Sequence, residues 1–312
     1  MKLLLGPRRP HVAWCLCALI GCSSGDPCPP ETDQEITVVL TFDDGPLSAD
    51  LSIPSSSDVD GLLLPLQDIL GVLDRRQLRA VFFVEGPGRD DLDDRLDEIF
   101  AEGILAIDRD GHALGYHGFT HDFLLWANPL SPPILGYVGV TVNLERLTRY
   151  LDDILMPRGL THEDIFKPLF RQPFGGSGIS RTLGWLEAAR RGWTYRGFMI
   201  DSIDWLDNVE VDPSLAIVLQ VSSENEYIEF VLDNLRSGVM RNRERSVIDV
   251  LLHVNQFTAR HLEEWIDEIQ VAVGEIIGVG VKFDVPDCYL HSSDLTVDRA
   301  VFGEFLQRLS DP

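Results

Sequence analysis

The chain has 312 residues, 45% of them hydrophobic, and sets 50 Asp and Glu against 26 Lys and Arg, a formal net charge of −24. That length holds one large domain or two modest ones, and a single α/β barrel of roughly 250 residues would use nearly all of it. A surface this acidic repels nucleic acid and anionic polymers on average, so no nucleic-acid partner is expected.

Lys2, Arg8 and Arg9 flank a short apolar core, Val12–Gly21, too short to span a bilayer comfortably. The core ends in Leu19-Ile20-Gly21-Cys22, which resembles the lipobox of bacterial lipoproteins. That resemblance implies a signal peptide over residues 1–21, acylation of Cys22 and attachment to a membrane through the lipid. Ser23 after the Cys implies a place in the cell envelope on the periplasmic side of the outer membrane. An ordinary secretory signal or an uncleaved anchor is the competing reading. Without residues 1–21 the chain keeps 23 Lys and Arg against 50 acidic residues, a net of −27. Residues 22–35 are rich in Pro and polar side chains and lack periodicity, as a tether does. Cys28 and Cys288 then remain as a disulfide in an oxidising compartment or as two free thiols.

From residue 36 to 312 strands and helices alternate. Apolar runs predict strands at 36–42, 80–84, 113–116, 168–171, 196–200, 247–252 and 281–284. Helical periodicity predicts helices at 62–76, 91–102, 141–156, 180–191, 226–236, 258–277 and 297–309. The alternation argues a parallel sheet with helical crossovers, and seven such units in one domain predict a distorted (β/α) barrel with catalytic groups at the C-terminal ends of its strands. Long loops at 46–61, 122–140 and 205–225 suit the walls of a substrate cleft, or are variable decoration.

The strand ends carry the chemistry. Thr41-Phe42-Asp43-Asp44-Gly45 places two carboxylates side by side, which resist joint ionisation unless something compensates them. A bound cation would, with one Asp as ligand and the other free as a base. Tyr116-His117-Gly118-Phe119-Thr120-His121 offers two imidazoles that face one cation if the segment turns helically; such a pair alone is more often ordinary surface or core histidine. One carboxylate and two imidazoles suit zinc or another first-row divalent ion. Phe170-Arg171-Gln172-Pro173-Phe174-Gly175 ends a strand on a guanidinium that needs a carboxylate partner, for which Asp43 is a candidate. Asp201-Ser202-Ile203-Asp204-Trp205 follows, and Val250-Leu251-Leu252-His253 closes a buried strand. His253 is either a satisfied core histidine or, with an Asp to orient it, a general acid.

These five segments, in this order, resemble the five motifs of the polysaccharide deacetylases, the NodB homology domain of carbohydrate esterase family four, over roughly residues 36–290. The resemblance implies that Asp43 is the catalytic base and that Asp44, His117 and His121 hold the metal. It implies that Arg171 holds the base, that Asp201 orients His253, and that His253 protonates the leaving amine. The backbone N–H of Phe174 would help bind the oxyanion, and Trp205 and Leu251 would wall the acetyl methyl group. Three positions depart from the family pattern. Gly118 stands where Ser or Thr is common, Phe174 where Tyr is usual, and Val254-Asn255 where an acidic residue often follows the histidine.

The reading that results is a metal-dependent hydrolase removing N-acetyl or O-acetyl groups from an extracytoplasmic polysaccharide such as peptidoglycan or exopolysaccharide. Zinc is the first choice of ion, with cobalt, manganese or nickel as alternatives. An amidohydrolase acting on a small non-glycan amide, or a glycan-binding lipoprotein without turnover, are the rivals. The oligomeric state is not legible from the chain.

Overall fold

The computed structural model describes residues 35–47, 59–88, 94–121, 133–173, 178–204 and 223–291. The tether, most of the three long loops, the expected 297–309 helix, Cys22, Cys28, Phe174 and Trp205 lie outside these.

The strands are β1 (Glu35–Gly45), β2 (Ala80–Glu85), β3 (Ala113–Gly118), β4 (Leu169–Phe170), β5 (Thr194–Tyr195), β6 (Ile200–Asp201), β7 (Val247–His253) and β8 (Gly280–Phe283). Seven form one parallel path, β5-β4-β3-β2-β1-β7-β6, and β8 pairs with β1 off that path. The longest ladder joins β1 to β7, from Thr37 opposite Val247 to Asp43 opposite His253. Thr37 and Val38 pair with both β7 and β8, and Leu40–Phe42 with both β7 and β2, so β8 and β2 share the edge of β1 away from β7.

Among the described residues the helices are α1 (Leu64–Arg76), α2 (Asp94–Arg109), α3 (Pro133–Leu155), α4 (His162–Ile165), α5 (Gly178–Arg191), α6 (Glu224–Arg241), α7 (Gln256–Ile276) and α8 (Asp287–His291). None is long and apolar enough to cross a membrane. The expected helix at 141–156 starts earlier, at Pro133, a residue that suits the first turn because its missing N–H has no partner there anyway.

Strand alternation separates two apolar layers. Val38, Leu40, Phe42, Phe82, Val84, Leu114, Ile248, Val250 and Leu252 face outward and pack with the helices. Val39, Val81, Phe83, Ala113, Leu169 and Val247 face inward and form a second cluster with Val285 and Tyr289. Strands buried on both faces explain why these segments read as continuous apolar runs rather than alternating ones. Above the inner cluster, toward the strand C-termini, the same inward positions turn polar: Thr41 and Asp43, His117, Arg171, Asp249 and His253.

The expected strand at 196–200 is instead two short strands with Arg196–Met199 between them. β5 and β6 are the two ends of the sheet path, so these four residues cross the seam of an unclosed barrel. The amides of Arg196 and Met199 are still satisfied, by the carbonyls of Phe170 and Asp249. The result is a parallel half-barrel, the distorted (β/α) barrel that the alternation implies.

Candidate active site

Adjacent residues of a strand point to opposite faces, yet both carboxylates of the Asp43-Asp44 pair enter the cleft. The backbone explains this. Pairing of β1 with β2 shifts register between Phe42 and Gly45, and Asp44 takes a left-handed conformation with φ 65°. That conformation costs a non-glycine residue about 1–3 kcal/mol, and Asp tolerates it better than most. Asp43 thereby meets Arg171, and Asp44 meets the histidines.

Asp44 Oδ1 lies 3.2 Å from His117 Nε2 and 3.4 Å from His121 Nε2. One ligand atom from each of the three residues falls within 4.8 Å of the others. The Nδ1 of His117 is 2.9 Å from the Arg171 carbonyl oxygen, which can only accept, so that nitrogen carries the proton. In the neutral ring, Nε2 then presents a lone pair to a carboxylate oxygen that is itself buried without a hydrogen-bond donor. Two electron-rich atoms held that close fit a cation between them. Although burial alone would raise the Asp44 carboxyl, the neighbouring imidazoles hold it well below the usual carboxylate range.

The two histidines do not share a helical turn. His117 sits near the end of β3, and Gly118 leaves the strand with φ 139°, a backbone that side chains rarely adopt. The departure from Ser or Thr at this position follows from that angle. Asn143 of α3 then pins the turn: its Oδ1 accepts from the Phe119 N–H at 2.5 Å and its Nδ2 donates to the Thr120 hydroxyl at 2.8 Å. Glu85, at the end of β2, accepts from the His121 backbone, and burial together with Asp44 and Asp43 pushes its carboxyl well up. Neither Asn143 nor Glu85 was expected from the sequence.

Arg171 is fully buried. Its Nη1 donates to Asp43 Oδ1 at 3.1 Å and to the Thr41 hydroxyl at 2.5 Å. The expected partnership with Asp43 is present, and a second carboxylate, Asp249, joins it. The other oxygen of Asp43, Oδ2, is 3.7 Å from His117 Nε2 and so faces the metal-ligand cluster.

His253 needs a correction. The carboxylate on its Nδ1 is Asp204, at 2.6 Å, and not Asp201. Asp204 Oδ2 also accepts from the His253 backbone N–H at 3.0 Å and from the Thr258 hydroxyl. Asp201, half-buried, turns Oδ1 back to the Ile203 N–H at 2.9 Å. Ile203 is left-handed, φ 61°, and this kink carries Asp204 under the histidine. Asn255 caps α7 through the Thr258 N–H and donates to the Asp204 carbonyl, which accounts for an amide side chain two residues beyond His253. Burial would lower the His253 pKa, but the Asp204 carboxylate, with smaller help from Asp44 and Asp43, pushes it up to about 10. Burial raises the Asp201 carboxyl from its ordinary value. Leu251 is buried on the same strand face as Asp249 and His253, the cleft side.

Fold and site together define a parallel α/β half-barrel with a candidate metal centre at its C-terminal rim. Residues 31–176, just under half of the chain, match the family model described as polysaccharide deacetylase. It is 26% identical over 169 residues to YheN of Bacillus subtilis (strain 168), whose name places it among polysaccharide deacetylases. The match spans 54% of this chain and 46% of that protein, so the chain covers about half the length of this curated relative. Among solved structures, the catalytic domain of a peptidoglycan N-acetylglucosamine deacetylase from Eubacterium rectale ATCC 33656 has a TM-score of 0.50 at 20% identity, over 87% of this chain and 97% of that one. The Bc1960 peptidoglycan N-acetylglucosamine deacetylase also gives 0.50, at 17% identity over 85% and 92%. At these identities the structural likeness speaks for the fold.

Proposed function

We propose that the protein is a metal-dependent deacetylase removing N-acetyl or O-acetyl groups from an extracytoplasmic polysaccharide, with peptidoglycan or an exopolysaccharide as substrate. One observation carries the reading: Asp44, His117 and His121 converge, with the Asp43–Arg171 and His253–Asp204 pairs beside them. A divalent ion held by those three residues, zinc first and cobalt, manganese or nickel next, would supply Lewis acidity for the acetyl carbonyl and a water nucleophile at neutral pH.

The protein's own groups divide the remaining work. Asp43 takes a proton from the attacking water at Oδ2, the oxygen that Arg171 leaves free. Water contributes its hydroxyl to the acetyl carbon, the carbon–nitrogen bond breaks, and acetate leaves. Asp204 occupies Nδ1 of His253, so Nε2 is the nitrogen that delivers a proton to the departing amine, which would otherwise be a poor leaving group. Leu251 lines the cleft where the acetyl methyl would sit, and the resemblance adds the Phe174 N–H and Trp205. Acylation of Cys22 would tether the domain in the cell envelope within reach of such a polymer, with residues 22–35 as the spacer before a catalytic domain over 36–312.

The test is acetate release from a panel of N- and O-acetylated glycans with each of the four metals. Release from at least one glycan is expected. No release from any glycan with any metal would overturn the reading. Turnover of small amides alone would favour an amidohydrolase, and glycan binding without turnover would favour a binding protein.

A further inference from the structure

Arg171 does not belong to Asp43 alone. Its Nη2 lies 2.9 and 2.8 Å from the two oxygens of Asp249 and 2.7 Å from the Gly197 carbonyl. Asp249 is 3% exposed and sits in the middle of β7, four residues before His253. A carboxylate at the centre of a buried strand is costly unless it is paired and hydrogen-bonded. Here it is both, because the Tyr289 hydroxyl donates to Asp249 Oδ2 and lies 3.4 Å from Arg171 Nη2. Tyr289 belongs to α8, the helix after the last described strand. It is held in turn by Arg196, whose guanidinium lies over its ring at 3.9 Å and donates to its carbonyl.

We infer that Asp249 and Tyr289 are positioning residues for the reaction, acting on the base Asp43 through Arg171. The geometry leaves few other roles. Both side chains engage Nη2, whereas Asp43 engages Nη1. A guanidinium is a planar fork, so fixing Nη2 fixes the direction in which Nη1 points. Asp249 and the Gly197 carbonyl fix Nη2, and Tyr289 fixes Asp249. The Phe83 ring, 4.3 Å from the guanidinium carbon, supports its face. Without Asp249 the same Arg171 could swing toward the seam, and Asp43 would lose the donor that aims Oδ2 at the cleft.

The inference rests on the proposed activity, and the experiment separates the two. Asp249→Asn and Tyr289→Phe are compared with the full-length wild type in acetate release, metal binding by isothermal titration, and circular dichroism. Asp249→Asn should lose about 100-fold in kcat, the scale expected when a reacting group is misplaced by remote disorder. Its KM and metal stoichiometry should stay unchanged. Tyr289→Phe removes one hydroxyl and should lose about 5-fold in kcat, again with KM and metal binding unchanged; it also decides the matter if Asp249→Asn does not fold. Wild-type kcat in either folded variant, or a loss that falls on KM or metal binding, would overturn the inference. Absence of turnover by the wild type would instead overturn the proposed function.

Discussion

Asp204→Asn should strip the proton from His253 across the working pH range. Burial by itself lowers an imidazole pKa, and the Asp204 carboxylate, 2.6 Å from Nδ1, is the chief group lifting His253 to about 10. With an amide in its place the desolvation stays and the main compensation goes, so the pKa returns to about 6.5 or lower. At pH 8 an imidazole of pKa ~6.5 is about 3% protonated, so a step that needs the imidazolium slows by about 30-fold, whereas near pH 6 it slows little. The alkaline limb of kcat should therefore fall from near pH 10 to about 6.5. Asp201→Asn should leave the limb in place, because Asp201 turns toward Ile203. Acetate release by the metal-saturated protein, followed from about pH 5 to 10, spans both pKa values. An unmoved limb in Asp204→Asn, or an equal shift in Asp201→Asn, would refute the reasoning. The same pair bears on folding: a raised folded-state pKa contributes stability that is fully present below about pH 6.5 and is lost as pH rises through about 10.

Asp44→Asn should abolish metal binding in a zinc titration. Asp43→Asn should keep the metal but lose turnover by about 100-fold or more, the scale of a missing general base; equal metal loss in both would contradict the division of roles. Arg171→Met strands two buried carboxylates and should cost about 3–5 kcal/mol in urea unfolding, and a loss well under 1 kcal/mol would mean that water or protons compensate them. Gly118→Ala forces a Cβ onto a backbone at φ 139° and should cost about 1–3 kcal/mol. Weaker metal binding should accompany that cost, because the neighbouring His117 moves; unchanged stability and affinity would show the angle to be soft.

The sequence made the strand ends legible because apolar runs and terminal polar residues are local features. Asp43, Asp44, His117, His121, Arg171 and His253 all come together as their segments imply. What failed was side-chain direction. Asp201-Ser202-Ile203-Asp204 offers two carboxylates, and the choice between them turns on a left-handed Ile203, a conformation that β-branched residues seldom adopt and no periodicity announces. The helical turn expected for His117–His121 failed similarly, through Gly118. Asp249 left a usable signal, a lone charge in Val247-Ile248-Asp249-Val250-Leu251 at the same strand parity as His253. Tyr289 left none, since its partner Arg171 is 118 residues away. The strand expected at 196–200 failed because an apolar stretch does not reveal that the sheet ends on either side of it. Cys288 is disulfide-bonded, as the cysteine count allowed, to a partner outside the described residues.

Asp43 and His253 are cross-strand partners on the β1–β7 ladder. The backbone positions of the proposed proton acceptor and donor are therefore set by the spacing of the sheet, about 4.8 Å between neighbouring strands, while Arg171 and Asp204 aim the two side chains. Such a gauge holds as long as the ladder does. Under the proposed function, segments beyond the rim can lengthen, shorten or reshape themselves around different substrates without moving these two backbone anchors, so specificity can drift while the anchors stay in register.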